Sequence, residues 1–413
     1  MVSEKATRCV LRAAYYLRIA GLALLAACAS GTQGATTASA APQSAAHGSQ
    51  PSSNPSQNYW IYVGAESADL IHRVRFGPGG AVVEKTIRVG ESPTEMEGPH
   101  GLQISRDGKY LHMTTGHGSP DGKYWKYELG PDTLVGQGIF LGYFPASIDV
   151  TPDGLYAFVV NFNLHGEMVP SSVSVVYTPT NTEVAQTTTC TMPHGSRVNP
   201  QGKKQYSTCM MDDQLVEIDT RTFSVARRYS VAKGKEGPVT GEHAHHTAGG
   251  GQGAGGGAKT AHPPASCSPT WAQPSASGDK IYVACNKSDE ILEVDDATWA
   301  VTRRFATGRG PYNLAVSPDG KYLVATLKQG AGVQIFDLST GQSVMNAKSS
   351  TTVTHGVVVT PDSRYAFVSN ESVGAKPGVV DVYDLRTLTR VASVDVGQQA
   401  GGIAFWKMEP AAR

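Results

Sequence analysis

One turn recurs along the chain and limits what it can fold into. Arg106-Asp107-Gly108-Lys109-Tyr110, Pro152-Asp153-Gly154, Pro200-Gln201-Gly202-Lys203, Pro318-Asp319-Gly320-Lys321-Tyr322 and Pro361-Asp362-Ser363-Arg364-Tyr365 share it, and Ser277-Gly278-Asp279-Lys280 is a degenerate copy. Glycine suits such turns because it takes positive φ without a steric penalty. Measured from Gly108, the steps are 46, 48, 76, 42 and 43 residues. The long step contains a Gly/His-rich insertion, residues 233–266, and the others keep the period of about 40–50 residues expected of four-stranded propeller blades.

Each repeat carries four strand signals. A short apolar segment such as Asn313-Leu314-Ala315-Val316 precedes the turn, and an aromatic or β-branched one such as Ile281-Tyr282-Val283 follows it. A third segment ends in Asp (Leu215 to Asp219, Ile291 to Asp295), and a fourth carries Thr-x-x-Val. Alternation and β-branched content support strands throughout. Six turns make six hairpins, and the ends supply a seventh. Tyr59 to Val63 reads as a second strand without its partner, and Gly401 to Trp406 as a first strand without successors. Pairing them removes two exposed edges. The expected fold is all-β, a seven-bladed β-propeller of four-stranded antiparallel blades over residues 58–408, closed by the N- and C-terminal strands.

The xPDGKY turns, with Phe158-Val159-Val160-Asn161 and Phe367-Val368-Ser369-Asn370, resemble the YVTN-type repeats of the quinoprotein-dehydrogenase-like and nitrous-oxide-reductase-like propellers. The resemblance spans nearly all of residues 58–406 and implies the fold. It implies less about function, because this scaffold hosts binding proteins, cofactor domains and enzymes. At the N-terminus, Lys5, Arg8, Arg12 and Arg18 precede a short apolar stretch that ends in Leu25-Ala26-Ala27-Cys28. The stretch is too short to span a bilayer, which takes about 20 residues. Its end resembles a bacterial lipobox, which implies a signal peptide over residues 1–27 and a lipidated Cys28. Residues 28–57 read as a flexible tether. The expectation is an exported lipoprotein of the periplasm or cell surface, joined to the membrane by its lipid.

In such blades the loop into the first strand and the loop between strands two and three share one end, and the xPDGKY turns lie at the other. Nine of the 12 His fall on the first face, as do Cys190, Cys209, Cys267, Cys285 and five Met, while the turn face has no His. His100, His194 and His355 each stand eight residues before the glycine position of their turn and open the innermost strands of blades 2, 4 and 7. Ala146, Thr270 and Tyr312 hold that position in blades 3, 5 and 6. Three His in register around a channel mouth can share one metal ion or small ligand. Alternatively, each caps its own strand. The insertion adds His243, His245 and His246, which read either as a spacer with incidental His or as a cluster that suits Cu or Zn, with Met and Cys nearby favouring copper. The nitrous-oxide-reductase resemblance implies a copper cluster on a His ring, but that cluster uses more His than this chain aligns.

The four Cys pair by spacing as Cys190–Cys209 and Cys267–Cys285, disulfides in an oxidising compartment or thiolates in a metal site. Charge balances at 35 Lys+Arg against 35 Asp+Glu, which gives no footprint for nucleic acid. No nucleophile elbow, P-loop, haem-attachment or Rossmann motif is present. The sequence therefore predicts a binding propeller that holds copper or another transition metal. A metal-dependent oxidoreductase and a metal-free propeller for a protein partner are the alternatives.

Overall fold

The computed structural model describes residues 55–92, 94–118, 122–240 and 264–411. The expected signal peptide, Cys28, most of the tether and the His243/His245/His246 cluster lie outside the described residues. Within Pro51–Arg413, seven antiparallel sheets form the ring of a seven-bladed propeller. The innermost strands of blades 2 to 7 are Pro99–Ile104, Pro145–Val150, Pro193–Val198, Pro269–Pro274, Pro311–Val316 and Thr354–Val359.

Blade 1 closes the ring as the sequence predicts. Gln57–Ala65, Leu70–Gly77 and Gly80–Arg88 come from the N-terminal side, and the last strand, Ala400–Pro410, supplies the inner position. Ile61 pairs with Phe405, Tyr62 with Ala404 and Val63 with Ile403. The Trp406 indole reaches the Gly108 carbonyl in the turn of blade 2 at 2.9 Å, and the Tyr59 hydroxyl reaches Asp362 of blade 7 at 2.7 Å. Blade 1 is thus tied to both neighbours. Its apolar contact with blade 7 buries Tyr59, Ile61, Val63, Phe76, Tyr365, Phe367, Val380 and Val382 together.

The recurrent turn is built by side chains as well as by glycine. Ser105 Oγ donates to Asp107 at 2.6 Å, and Asp107 in turn accepts from the Lys109 amide at 3.1 Å. Thr151–Asp153, Ser317–Asp319 and Thr360–Asp362 repeat this pair. Gly108, Gly154, Gly202, Gly278 and Gly320 all have positive φ, and Ser363 takes the same conformation at 57°. The Asp that ends the third strand plays a similar part, accepting amide bonds from the next turn at Asp219, Asp295, Asp337 and Asp384.

Two blades depart from the repeat. The outer strand of blade 2 is split into Thr133–Leu134 and Ile139–Phe140, both paired with Lys123–Glu128. Blade 4 gains a fifth short strand, Gly237–Pro238, from the start of the insertion. Both predicted disulfides are present, Cys190–Cys209 and Cys267–Cys285, with sequence separations of 19 and 18. The four sulfurs are therefore unavailable as thiolate ligands.

Two outcomes follow from this architecture. Deleting residues 400–413 leaves blade 1 without its inner strand, so calorimetry should show loss of the cooperative transition of the whole domain. An unchanged Tm would contradict ring closure. Replacing both Cys190 and Cys209 by Ser should lower stability by about 3 kcal/mol, the chain-entropy value for a loop of this size, read from urea midpoints.

Candidate functional site

Every blade enters its innermost strand through the same backbone turn. Two residues before the position of His100, φ is positive in all seven blades: at Gly98, Phe144, Met192, Ser268, Gly310, Val353 and Gln399. Because all seven share it, this conformation belongs to the fold and not to a particular site. It sets the following residues, Gly401, His100, Ala146, His194, Thr270, Tyr312 and His355, around the mouth of the channel.

Three of these positions bond to the backbone of the next blade. His100 Nδ1 meets the Ala146 carbonyl at 2.6 Å, and His194 Nδ1 meets that of Thr270 at 2.7 Å. The Thr270 hydroxyl donates to the Tyr312 carbonyl at 2.8 Å. His355 turns Nδ1 toward the carbonyl of Gly401 without completing a well-formed bond. A carbonyl can only accept, so Nδ1 of His100 and His194 must carry the hydrogen. Nε2 is then a lone-pair acceptor. In His194 it accepts from the Tyr312 hydroxyl at 3.0 Å.

A second ring of equivalent positions completes the mouth. The residue eight beyond the turn glycine position, just past the second strand, is Phe162, Met210, Asn286, Lys328 and Glu371 in blades 3 to 7, and Glu66 follows the corresponding strand of blade 1. With the three His they line a cavity of about 440 Å³. One wall is apolar, formed by Phe144, Phe162, Leu164 and Met210. The opposite wall carries the charges. Lys328 Nζ lies 2.9 Å from Glu371 and 4.3 Å above the Tyr312 ring. Glu66, 4% exposed, accepts from the Gln399 amide at 2.9 Å and faces His117 Nε2 at 2.8 Å. His117 Nδ1 in turn lies 3.4 Å from His165.

Electrostatics keep His194 and His355 neutral. Burial pushes His194 down to about 3 despite its bond to Thr270. Burial, then the Lys328 ammonium, holds His355 well below its usual range. Burial opposes ionisation of Glu66, but His100 and His117 outweigh it and hold the carboxyl below its ordinary value. Lys328 is raised, because Tyr312 and Glu371 overcome the burial that would discharge it.

The predicted trio does converge. His100 and His355 have ring centroids 5.7 Å apart, and Tyr312 bridges His355 and His194 at 4.7 and 5.4 Å. Among the described residues, however, no group of three or more His, Cys, Asp or Glu is arranged to hold a metal ion. Two contacts around the trio compete with a metal. Tyr312 occupies the free nitrogen of His194, and Lys328 puts a fixed positive charge beside His355. Of the three His left off this face by the sequence, His72 and His112 are among the described residues, and they divide. His72 is structural, bonded to Thr86 and the Gly397 amide. His112 lines a cleft among the turns, so the turn face is not free of His as the sequence implied.

No protein-family model matches the sequence, and no curated protein matches it. Solved structures do match in fold. A periplasmic gluconolactonase of Pseudomonas aeruginosa aligns with a TM-score of 0.63 at 17% identity, covering 85% of this chain and 99% of that one. The hydrazine synthase of Kuenenia stuttgartiensis aligns with a TM-score of 0.56 at 18% identity, covering 76% of this chain and 91% of that one. At these identities the likeness establishes the propeller fold.

Acid should unfold this protein through its buried imidazoles. His194 and His112 are both pushed to about 3 by burial, whereas the unfolded chain protonates near 6.5. Their contribution is complete above about pH 6.5 and is lost as pH falls toward about 3. At pH 5 each should cost about 2 kcal/mol. Urea midpoints at pH 7.5 and 5 measure this, and His194→Gln should make the fall smaller by about one such increment.

Proposed function

We propose that this chain is an extracytoplasmic binding propeller whose channel mouth takes a small polyhydroxylated molecule. The two disulfides point to an extracytoplasmic protein, which we read further as a lipoprotein held to the membrane through Cys28. The observation that carries the ligand class is the anchoring of His100 and His194 by Nδ1. In His194 the other nitrogen is taken by Tyr312, so it is His100 Nε2 that is left to face the cavity, and Tyr312, having given its proton to His194, offers oxygen lone pairs. With Glu66 and Glu371 alongside, the mouth is rich in acceptors, and its complement is a molecule rich in hydroxyl donors. Phe144 and Phe162 supply the flat apolar wall that the C–H face of a sugar-like ring can cover. The gluconolactonase of like fold acts, by its name, on a lactone of this chemical kind.

A transition metal on His100, His194 and His355 is the second reading. Its support is the same Nδ1 anchoring, which metal-bound His also use. Calorimetric titration of the purified protein with neutral sugars, aldonolactones and polyols tests the first reading. Saturable binding is expected, weakened at least tenfold (about 1.4 kcal/mol) by His100→Ala and by Tyr312→Phe. Stoichiometric copper or zinc that disappears from the triple His→Ala variant would establish the metal instead, and redox turnover of that metalloprotein would make it an oxidoreductase. A protein that binds neither would be left as an interaction scaffold.

A further inference from the structure

At the opposite end of the propeller, the turns of blades 2 and 3 frame a second cavity, of about 390 Å³, lined by His112 and Lys126. These two residues are cross-strand partners, 1% and 6% exposed. The same inter-blade slot is apolar in blades 3, 6 and 7, where it holds Phe158 with Val175, Val324 with Ile335 and Phe367 with Val382. Where it is polar, an opposite charge answers it. In blade 1, Tyr62 pairs with Arg73, and Asp132 meets Arg73 at 3.0 Å. In blade 4, Tyr206 pairs with Glu217, which is bonded to Arg227. In blade 5, Tyr282 pairs with Glu293, which lies 3.7 Å from Arg303.

Blade 2 breaks this rule. Lys126 forms no ion pair among the described residues. Its ammonium donates to the Thr178 carbonyl at 2.9 Å and sits 4.0 Å over the Tyr110 ring, which leaves it a hydrogen to give. His112 Nδ1 lies 2.7 Å from the Tyr124 hydroxyl, and its Nε2 has no partner. Tyr124 has no other acceptor among the described residues, so its hydroxyl donates to Nδ1. The alternative tautomer would strand the Tyr124 proton as well as Nε2. Nε2 therefore carries a hydrogen with nothing to receive it. The nearby carboxylates are committed to their own turns: Asp107 to Ser105 and the Lys109 amide, Asp153 to Thr151 and the Leu155 amide. A buried cation and a buried N–H, both without an anionic partner, are costly unless something fills the gap.

We propose that this cleft is an anion site, in which a carboxylate or phosphate-type oxyanion accepts from Lys126 Nζ and His112 Nε2, with Arg106 at the rim. The site lies on the turn face and is independent of the channel mouth. The test is thermal unfolding of the exported protein at constant ionic strength and pH 7.5, titrated with sodium phosphate, sulfate or acetate against a chloride reference. A saturable rise in Tm is expected for at least one of these anions, and their ranking separates a phosphate-type ligand from a carboxylate. Lys126→Met should fold with a Tm no lower than wild type, since it removes an unanswered buried charge, and should lose the response. His112→Phe should reduce the response and decides the matter if Lys126→Met does not fold. No saturable shift with any anion, or the same shift in Lys126→Met as in wild type, would overturn the proposal. So would a response kept in Lys126→Met but lost in Lys328→Met, which would assign the anion to the channel mouth.

Discussion

The pairing of Gln57–Ala65 with Ala400–Pro410 is the contact on which the rest of the molecule leans. A propeller blade has no inner face to bury until its neighbours stand on both sides, so the seven sheets stabilise one another only as a closed circle. The same pairing also assembles part of the channel mouth. Glu66, from the start of the chain, donates its amide to the Gln399 carbonyl at 3.0 Å and receives the Gln399 side-chain amide on its carboxylate. Residues more than 300 positions apart thus share one hydrogen-bonded corner of the cavity.

The fold was legible because repetition exposes it. Each Asp-Gly turn marks a hairpin, and Tyr59–Val63 and Gly401–Trp406 were visibly strands without partners. Spacing suggested the Cys partners, and the structure decides for disulfides over thiolates. The His ring was legible in position, since eight residues before each turn glycine is a register that chemistry need not obscure. What escaped was its company. Lys328, Glu371 and Glu66 stand eight residues after the turn or its equivalent, a register as simple as the first. They went unnoticed because Lys and Glu next to a loop ordinarily face solvent. The tautomers were beyond the sequence altogether. They depend on the Ala146 and Thr270 carbonyls, which come from the neighbouring blade and from residues with no polar side chain or only a hydroxyl.

Symmetry also separates what the fold needs from what a site needs. Positive φ at Phe144 or Val353 would invite a functional explanation if seen alone. Its recurrence at all seven positions assigns it to the scaffold. The exceptions to symmetry are where the proposed sites lie: His at three of seven ring positions, and a His–Lys pair where other blades use apolar residues or matched charges.

The ring of bonds at the channel mouth has a consequence for how such a protein can change over generations. His100 and His194 each give one hydrogen to the next blade, and Thr270 gives one from a hydroxyl in the same place. The scaffold asks that position only for a short donor, or, as Ala146 shows, for nothing. The same strand entry thus carries imidazole, hydroxyl or methyl from blade to blade. One exchange at one blade adds or removes an acceptor inside the cavity and leaves the strand that bears it in place. Change of the mouth by single steps is thus coupled to the blade that supplies the accepting carbonyl.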